Sequence, residues 1–391
     1  MDFTVPPADA AFRAEARSWL EANVPRPPLP SLDTAEGFAA HRAWEATMAA
    51  DRWSVVSWPV EYGGRGASLW QWLIFEEEYY RAGGPARVGQ NGIFLLAPTM
   101  FEYGTEAQKA RFLPPMGAGT EIWAQGWSEP DAGSDLAGIR TRARRVEGGW
   151  SIDGQKTWCS RAVFADWIAV LCRTDPDAGR HRGLSYLLTP LDAPGIEVRP
   201  IAQLDGEPGF ADVFFDGVFV PDDHVLGAVD DGWSVAMATA GSERSLSLRS
   251  PGRFLATADR LVDTWRRTCV DEPELVDDVV DDAVVRAWID ADAYRLATFA
   301  TVTGVLAGRP IGPEASANKV FWSELDVRLH DTALALGGPR AELTADAPDA
   351  LDGGRWLEGW MFSLAGPIYA GTNEIQRDVI ADRVLGLPRS R

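Results

Sequence analysis

The sequence predicts an α+β chain in three parts: an N-terminal helical domain (1–120), a middle antiparallel β-domain (121–229) and a C-terminal helical bundle (230–391). Three observations predict it. Apolar residues recur at helical spacing through the first third. Short segments rich in β-branched and aromatic residues fill the middle. Helical texture returns from residue 231 and runs nearly to the end.

Phe12, Ala16, Trp19 and Leu20 mark the first helix, and Pro25, Pro27, Pro28 and Pro30 end it. Further helices are predicted around 34–50, 69–82, 88–103 and 105–113, with a glycine-rich loop from Trp58 to Gly66. Strands are predicted over 166–174, 183–191, 196–201 and 211–220. Glu147-Gly148-Gly149 and Asp153-Gly154 are predicted hairpin turns. Leu296 to Gly308, 13 uncharged residues between Arg295 and Arg309, is predicted to be a buried helix. An Asp/Ala/Gly-rich stretch at 344–354 interrupts the helices, and no internal repeat is visible. Segment 271–292 carries nine acidic residues against Arg286 alone, and reads as a solvated helix face or acidic loop.

With 391 residues, 46% of them hydrophobic and 24% charged, the chain has enough apolar surface for packed domains and is not a disordered polymer. Lys+Arg 37 against Asp+Glu 57 gives a net charge of −20, which disfavours a nucleic-acid binder. No apolar run reaches the roughly 18 residues a membrane span needs. The start, Met1 to Pro7, has neither a basic nor an apolar leader region, and Cys159, Cys172 and Cys269 form no CxxC pair. Neither a disulfide framework nor a metal site is expected, and a cytoplasmic location is. Lysine is confined to Lys109, Lys156 and Lys319, read as a reflection of genome composition.

Three segments carry chemistry. Gln125-Gly-Trp-Ser-Glu-Pro-Asp-Ala-Gly-Ser-Asp135 is a loop whose small residues let a ligand approach the backbone, with hydroxyls at Ser128 and Ser134. Taken alone it is also an ordinary turn. Gln155-Lys-Thr-Trp-Cys-Ser160 offers Trp158 as a platform for a flat heterocycle and Ser160 as a donor to it, although a tryptophan there also suits a core. Ile368-Tyr-Ala-Gly-Thr-Asn-Glu-Ile-Gln-Arg377 looks like a helix start capped by Thr372, with open N–H groups suited to an oxyanion or anion. A plain capped helix is the alternative. No GxGxxG, P-loop or HExxH occurs.

In this order, and followed by Val384-Leu-Gly-Leu-Pro388, these segments resemble the acyl-CoA dehydrogenase family over almost the whole chain. The resemblance implies FAD and an acyl-CoA thioester: a carboxylate takes the α-proton while the β-hydride passes to flavin N5. It implies an electron-transferring flavoprotein as acceptor. It places Trp127, Ser128, Trp158, Cys159, Ser160, Thr372 and Glu374 at the cofactor, and Ser134, Arg244, Ala370 and Gly371 at the substrate. Family members usually carry threonine where Ser160 stands, and serine keeps the hydroxyl.

Two departures matter. Many members carry the catalytic glutamate immediately before Gly-Thr, where this chain has Ala370. Others carry it on an early helix of the C-terminal domain, before an arginine, and there this chain reads Glu243-Arg244, which makes Glu243 the expected base. Homotetrameric members also lend a neighbour's flavin an Arg-x-x-Phe-Gly segment and a Gln-x-x-Gly-Gly-x-Gly loop. The acidic tract 271–292 stands at the first, and Leu334 to Arg340, with Leu334 for the Gln and Arg340 for the last Gly, at the second. An α2β2 assembly with a homologous partner subunit is therefore expected. Steroid-catabolic members of actinobacteria are built that way, which points to a bulky acyl-CoA. The competing readings are a non-catalytic scaffolding subunit, a related flavin oxidase or monooxygenase, and a dehydrogenase of carrier-protein thioesters.

Overall fold

A computed structural model describes residues 6–244, 250–309 and 311–388, with the backbone alone at 242–244. The elements in chain order are helices α1 (Pro7–Asn23), α2 (Ala35–Ala50), α3 (Leu69–Arg81), α4 (Ala97–Tyr103) and α5 (Glu106–Gly117); strands β1 (Trp123–Gly126), β2 (Arg142–Val146), β3 (Gly149–Ser160), β4 (Trp167–Arg173), β5 (Leu184–Pro190), β6 (Ile196–Ile201), β7 (Phe210–Pro221) and β8 (Val225–Leu226); then helices α6 (Gly232–Arg244), α7 (Pro251–Asp271), α8 (Asp278–Leu306), α9 (Ala315–Gly337), α10 (Arg355–Ser363) and α11 (Asn373–Val379). The helical–β–helical order agrees with the sequence expectation. The chain forms two compact units: one of residues 1–23, 69–84 and 244–391, the other of 24–68 and 85–243.

The second unit is built on one sheet with strand order β6-β7-β3-β2-β4-β5-β8, mostly antiparallel, to which β1 adds in parallel against β4. Successive side chains of a strand point to opposite faces, and β4 is buried on both. Ile168, Val170 and Cys172 join Ile152, Leu187, Val213 and Val218 on one face. Trp167, Ala169 and Leu171 join Phe112, Leu113 and Met116 of α5 and Val235 of α6 on the other. Thr105 begins α5 with a capping box: its hydroxyl accepts from Gln108 N at 3.2 Å while Gln108 Oε1 accepts from Thr105 N at 2.9 Å.

Two sequence expectations are corrected. Glu147-Gly148 does turn β2 into β3, but Asp153-Gly154 makes no hairpin. It is a bulge inside β3, where pairing with β7 slips between Ile152 and Gly154. Gly154 sits at φ 148°, and a Cβ there would lie 2.6 Å from the Thr141 hydroxyl oxygen. Continuous pairing with β7 on either side overrides the turn propensity of Asp-Gly. Nor is 296–308 a buried helix. Residues 296–306 are the last third of the 29-residue α8, with Thr298, Val302 and Gly304 inward while Leu296 and Leu306 are exposed, and 307–308 turn out of it.

The first unit is a helical bundle. Phe254, Ala258 and Leu261 of α7, Val284, Ala287, Ala291 and Tyr294 of α8, and Trp322, Leu325, Leu329 and Ala333 of α9 recur every three or four residues and close on Trp356 of α10. Gly252 lets α7 start directly against α3: a Cβ there would lie 2.8 Å from the Glu76 carbonyl oxygen. Glu78 of α3 is buried and meets three guanidiniums, Arg13 at 2.8 Å, Arg17 at 3.0 Å and Arg81 at 2.8 Å. Burial pushes its carboxyl up, but the three arginines outweigh burial and hold it down at about 2, against the usual 4.5. A folded-state value below the unfolded one gives stability that is fully present above pH 4.5 and lost as pH falls toward 2. Glu78→Gln is expected to lower stability near neutral pH by about 3 kcal/mol and to flatten the acid limb of thermal midpoint against pH. An unchanged acid limb would contradict this assignment.

Candidate active site

In the second unit two predicted segments meet. The loop 125–135 leaves β1 with Trp127 buried, its indole N–H donating to the Tyr186 hydroxyl at 2.9 Å. Glu129 and Ala132 close a tight turn by exchanging backbone hydrogen bonds, both 3.0 Å. The Ser128 carbonyl accepts from Thr157 N at 2.9 Å, which joins the loop to β3. Below lies an ion pair that sequence reasoning missed. Lys156 Nζ donates to Glu129 Oε1 at 2.8 Å and to the Trp127 carbonyl at 3.0 Å. Glu129 also accepts from Arg140 N at 2.6 Å and Thr141 N at 2.9 Å. Burial raises its carboxyl, yet Lys156 and these donors hold it below the usual range. Two of the three lysines, Lys156 and Lys319, are fully buried.

Trp158 sits in the left-handed region at φ 57°, inside a second slip of β3 against β7 between Lys156 and Cys159. Such backbone costs a bulky residue roughly 1–2 kcal/mol and is retained where surroundings over-determine it. Arg161 at φ 56° follows, held by Gly209 O at 2.8 Å and Asp33 at 3.2 Å. The result is an indole that is 58% exposed, resting edge-on against Phe210 at 5.9 Å. Trp158 is thus exposed rather than core. Cys159 is not at the surface: it is fully buried, and burial pushes its thiol up to about 12. Ser128 and Ser160 are half-buried and Ser134 is exposed. Beside Ser134, Asp135 pairs with Arg180. A groove of about 720 Å³ lined by Gln108, Arg111, Phe112, Arg145 and His224 shares no residue with these loops.

In the first unit Ala370, at φ 57°, and Gly371, at φ 78°, form the turn into α11. Thr372 caps it as expected, its hydroxyl accepting from Ile375 N at 3.3 Å. Gln376, also missed, reaches back from α11: its Nε2 donates to the carbonyls of Ala370 at 3.0 Å and Gly371 at 3.2 Å. A trans peptide holds its C=O and N–H antiparallel, so the N–H groups of Gly371 and Thr372 point away from Gln376. Asn373 anchors the helix, accepting from Lys319 at 2.8 Å and Ser323 at 3.1 Å. Glu374 is exposed, its carboxyl held below the usual range by its own backbone N–H and the Thr372 hydroxyl.

The acidic tract is largely spent within the chain. Glu272 pairs with Arg340, Asp281 accepts from the Trp265 indole at 2.7 Å, and Asp290 meets Arg328 at 2.9 Å. Leu275 packs 3.2 Å from where a Cβ on Gly338 would lie. Glu243 lies in the last turn of α6 and Arg244 ends that helix, but both side chains lie outside the described residues.

Residues 6–120 match the N-terminal domain of acyl-CoA dehydrogenases, 124–218 their middle domain and 230–385 their C-terminal domain. The chain is 40% identical over 386 residues to acyl-CoA dehydrogenase IpdE1 of Mycobacterium tuberculosis (strain ATCC 25618 / H37Rv), covering 97% of both chains. Among solved structures, the Tcur3481-Tcur3483 steroid ACAD superposes with TM-score 0.87 at 30% identity, covering all of both chains. The ChsE4-ChsE5 complex from Mycobacterium tuberculosis gives 0.84 at 32%, also over both full chains. These matches define a three-domain oxidoreductase of flavoprotein type. The chain belongs to the acyl-CoA dehydrogenase family. Among the described residues no helix is long and apolar enough to cross a membrane, and no cluster of potential metal ligands occurs.

The turn geometry at 370–371 is testable. Gly371→Ala combines left-handed backbone with a Cβ 2.6 Å from Gln376 Nε2. It is expected to lower stability by roughly 1–2 kcal/mol, read as a drop in thermal midpoint. An unchanged midpoint would mean that the turn is differently built.

Proposed function

We propose that the chain binds FAD and an acyl-CoA thioester and catalyses α,β-dehydrogenation with Glu243 as base, as one subunit of an α2β2 enzyme acting on a bulky acyl-CoA. The observation that carries the choice of base is residue 370, where a methyl group replaces the proton acceptor that the resemblance places there. Glu243 is the acid that the same resemblance offers instead, on a helix of the described backbone.

Each unit offers groups suited to a flavin: the sheet unit an exposed indole at Trp158 and hydroxyls at Ser128 and Ser160, the helical unit the Thr372 hydroxyl. Bound flavin would supply the hydride acceptor. The chain's own residues do the rest. By the resemblance, the amides of Ala370 and Gly371 are the proposed donors to the thioester oxygen, which makes the α-proton acidic, and of the two it is the Gly371 N–H that the Gln376 contact turns outward. Glu243 takes that proton. Ser134 and Arg244 are assigned to the CoA side. We retain 1–120, 121–229 and 230–391 as the domain limits of this reading.

Three things support the partner subunit. Two solved relatives carry paired names, ChsE4-ChsE5 and Tcur3481-Tcur3483. Glu272–Arg340 and Leu275–Gly338 join the two stretches in which the chain departs from homotetrameric members. Finally, α8 is apolar on its outer side as well, with Val285, Ile289, Ala293, Leu296 and Ala300 exposed in one stripe. An electron-transferring flavoprotein is the proposed acceptor and the cytoplasm the proposed location.

Glu243→Gln in the co-expressed complex is expected to cut turnover at least about 10²-fold with flavin content unchanged. Unchanged turnover would make this chain a scaffolding subunit. Expressed alone, the chain is expected to purify with little flavin, whereas a homotetramer with full occupancy would end the heteromer reading.

A further inference from the structure

We propose that the buried Lys156–Glu129 ion pair is a positioning device that sets how the 127–128 peptide presents its amide to the bound flavin, without itself touching the flavin. The inference rests on the reading of loops 125–135 and 155–160 as flavin contacts.

Lys156 Nζ fixes the Trp127 carbonyl at 3.0 Å, and Thr157 N fixes the Ser128 carbonyl at 2.9 Å. Both carbonyls are thereby turned toward β3. Peptide planarity then turns the Ser128 N–H to the opposite side, away from the sheet. A cation on the carbonyl also polarises the peptide, which strengthens that N–H as a donor. Glu129 cannot swing away. Besides the ammonium, its two oxygens accept from Arg140 N and Thr141 N, so one carboxylate ties the loop to the start of β2. The same lysine lies two residues before Trp158, on the strand segment whose slip against β7 exposes the indole. One ion pair therefore fixes both edges of the proposed ring site.

Stability alone does not call for such a pair. Lys156 is fully buried and Glu129 is 8% exposed. Taking two charges out of water costs several kcal/mol per ion, and apolar replacements of such pairs are often neutral or stabilising. Elsewhere in the same unit Arg87 and Glu45 form a buried pair, 2.8 Å apart, that also binds the Ser54 carbonyl. It touches neither loop and serves as the control.

The test uses the full chain purified with its partner subunit and compares two neutralised pairs, Glu129→Gln/Lys156→Met and Glu45→Gln/Arg87→Met. The readouts are FAD affinity by fluorescence, the shape of the flavin absorption band and the thermal midpoint of the apoprotein. Glu129→Gln/Lys156→Met is expected to weaken FAD binding about tenfold or more and to shift the flavin band, in a folded apoprotein. Glu45→Gln/Arg87→Met is expected to move only the thermal midpoint. Wild-type affinity and an unshifted band in the first variant would overturn the proposal. So would equal losses in both variants, or failure of the first to fold, since each would make the pair a stability element. If the unaltered complex binds no FAD, the functional reading itself fails, a result that differs from wild-type-like binding in the variant.

Discussion

A lysine with no access to water, closed on a carboxylate and a main-chain carbonyl, is the constraint on which the sheet side of this protein depends. Lys156 and Glu129 come from two of the three sequence segments that carry the family resemblance, and they join those two segments at their base. An unpaired charge in that place would be costly, so the pair is satisfied by every neighbour within reach: Arg140 N, Thr141 N and the Trp127 carbonyl. The loop above inherits its shape from this arrangement. Trp127 is pinned from the other side by the Tyr186 hydroxyl, which leaves the 127–128 peptide little freedom.

The turn into α11 follows the same logic with a neutral side chain. Gln376 binds two successive carbonyls from below, and Ala370 and Gly371 take left-handed backbone to allow it. In both places a buried polar side chain claims the carbonyl side of the peptides and leaves the N–H side outward. An array of outward amides is what a thioester oxygen or a flavin edge requires. Trp158, Arg161 and Ala370 take left-handed backbone in the two loop regions assigned to ligands, as Arg52, Asp230 and Asp352 do elsewhere, while the core helices of the bundle show ordinary spacing.

The sequence made the architecture legible because periodicity reports burial. The first helix, marked by Phe12, Ala16, Trp19 and Leu20, and the strand expected over 166–174 both appear where their patterns put them. Thr372 was legible as a cap because capping is a local interaction. Asp153-Gly154 was misread because register with β7, a partner some 60 residues away, decides whether Asp-Gly turns or bulges. The inward roles of Lys156, Glu129 and Gln376 were not legible, since a charged or amide residue in a loop is ordinarily solvated. Only the three-dimensional closing of β3 on the loop gives them partners. The acidic tract was read as a solvated face, and its exposed half agrees. Its pairing of Glu272 with Arg340 spans 68 residues and has no local sequence signal.

That ion pair also bears on assembly. It joins the two segments in which the chain departs from homotetrameric relatives, so the two departures form one change rather than two. An apolar outer stripe on α8 and this joined change are the features behind the proposed partner subunit. The most direct measurement is anaerobic mixing of the co-purified complex with a panel of acyl-CoA thioesters, read by flavin absorbance. The account predicts bleaching of the flavin band with at least one bulky acyl-CoA, and a flavin band that persists with every thioester would contradict it.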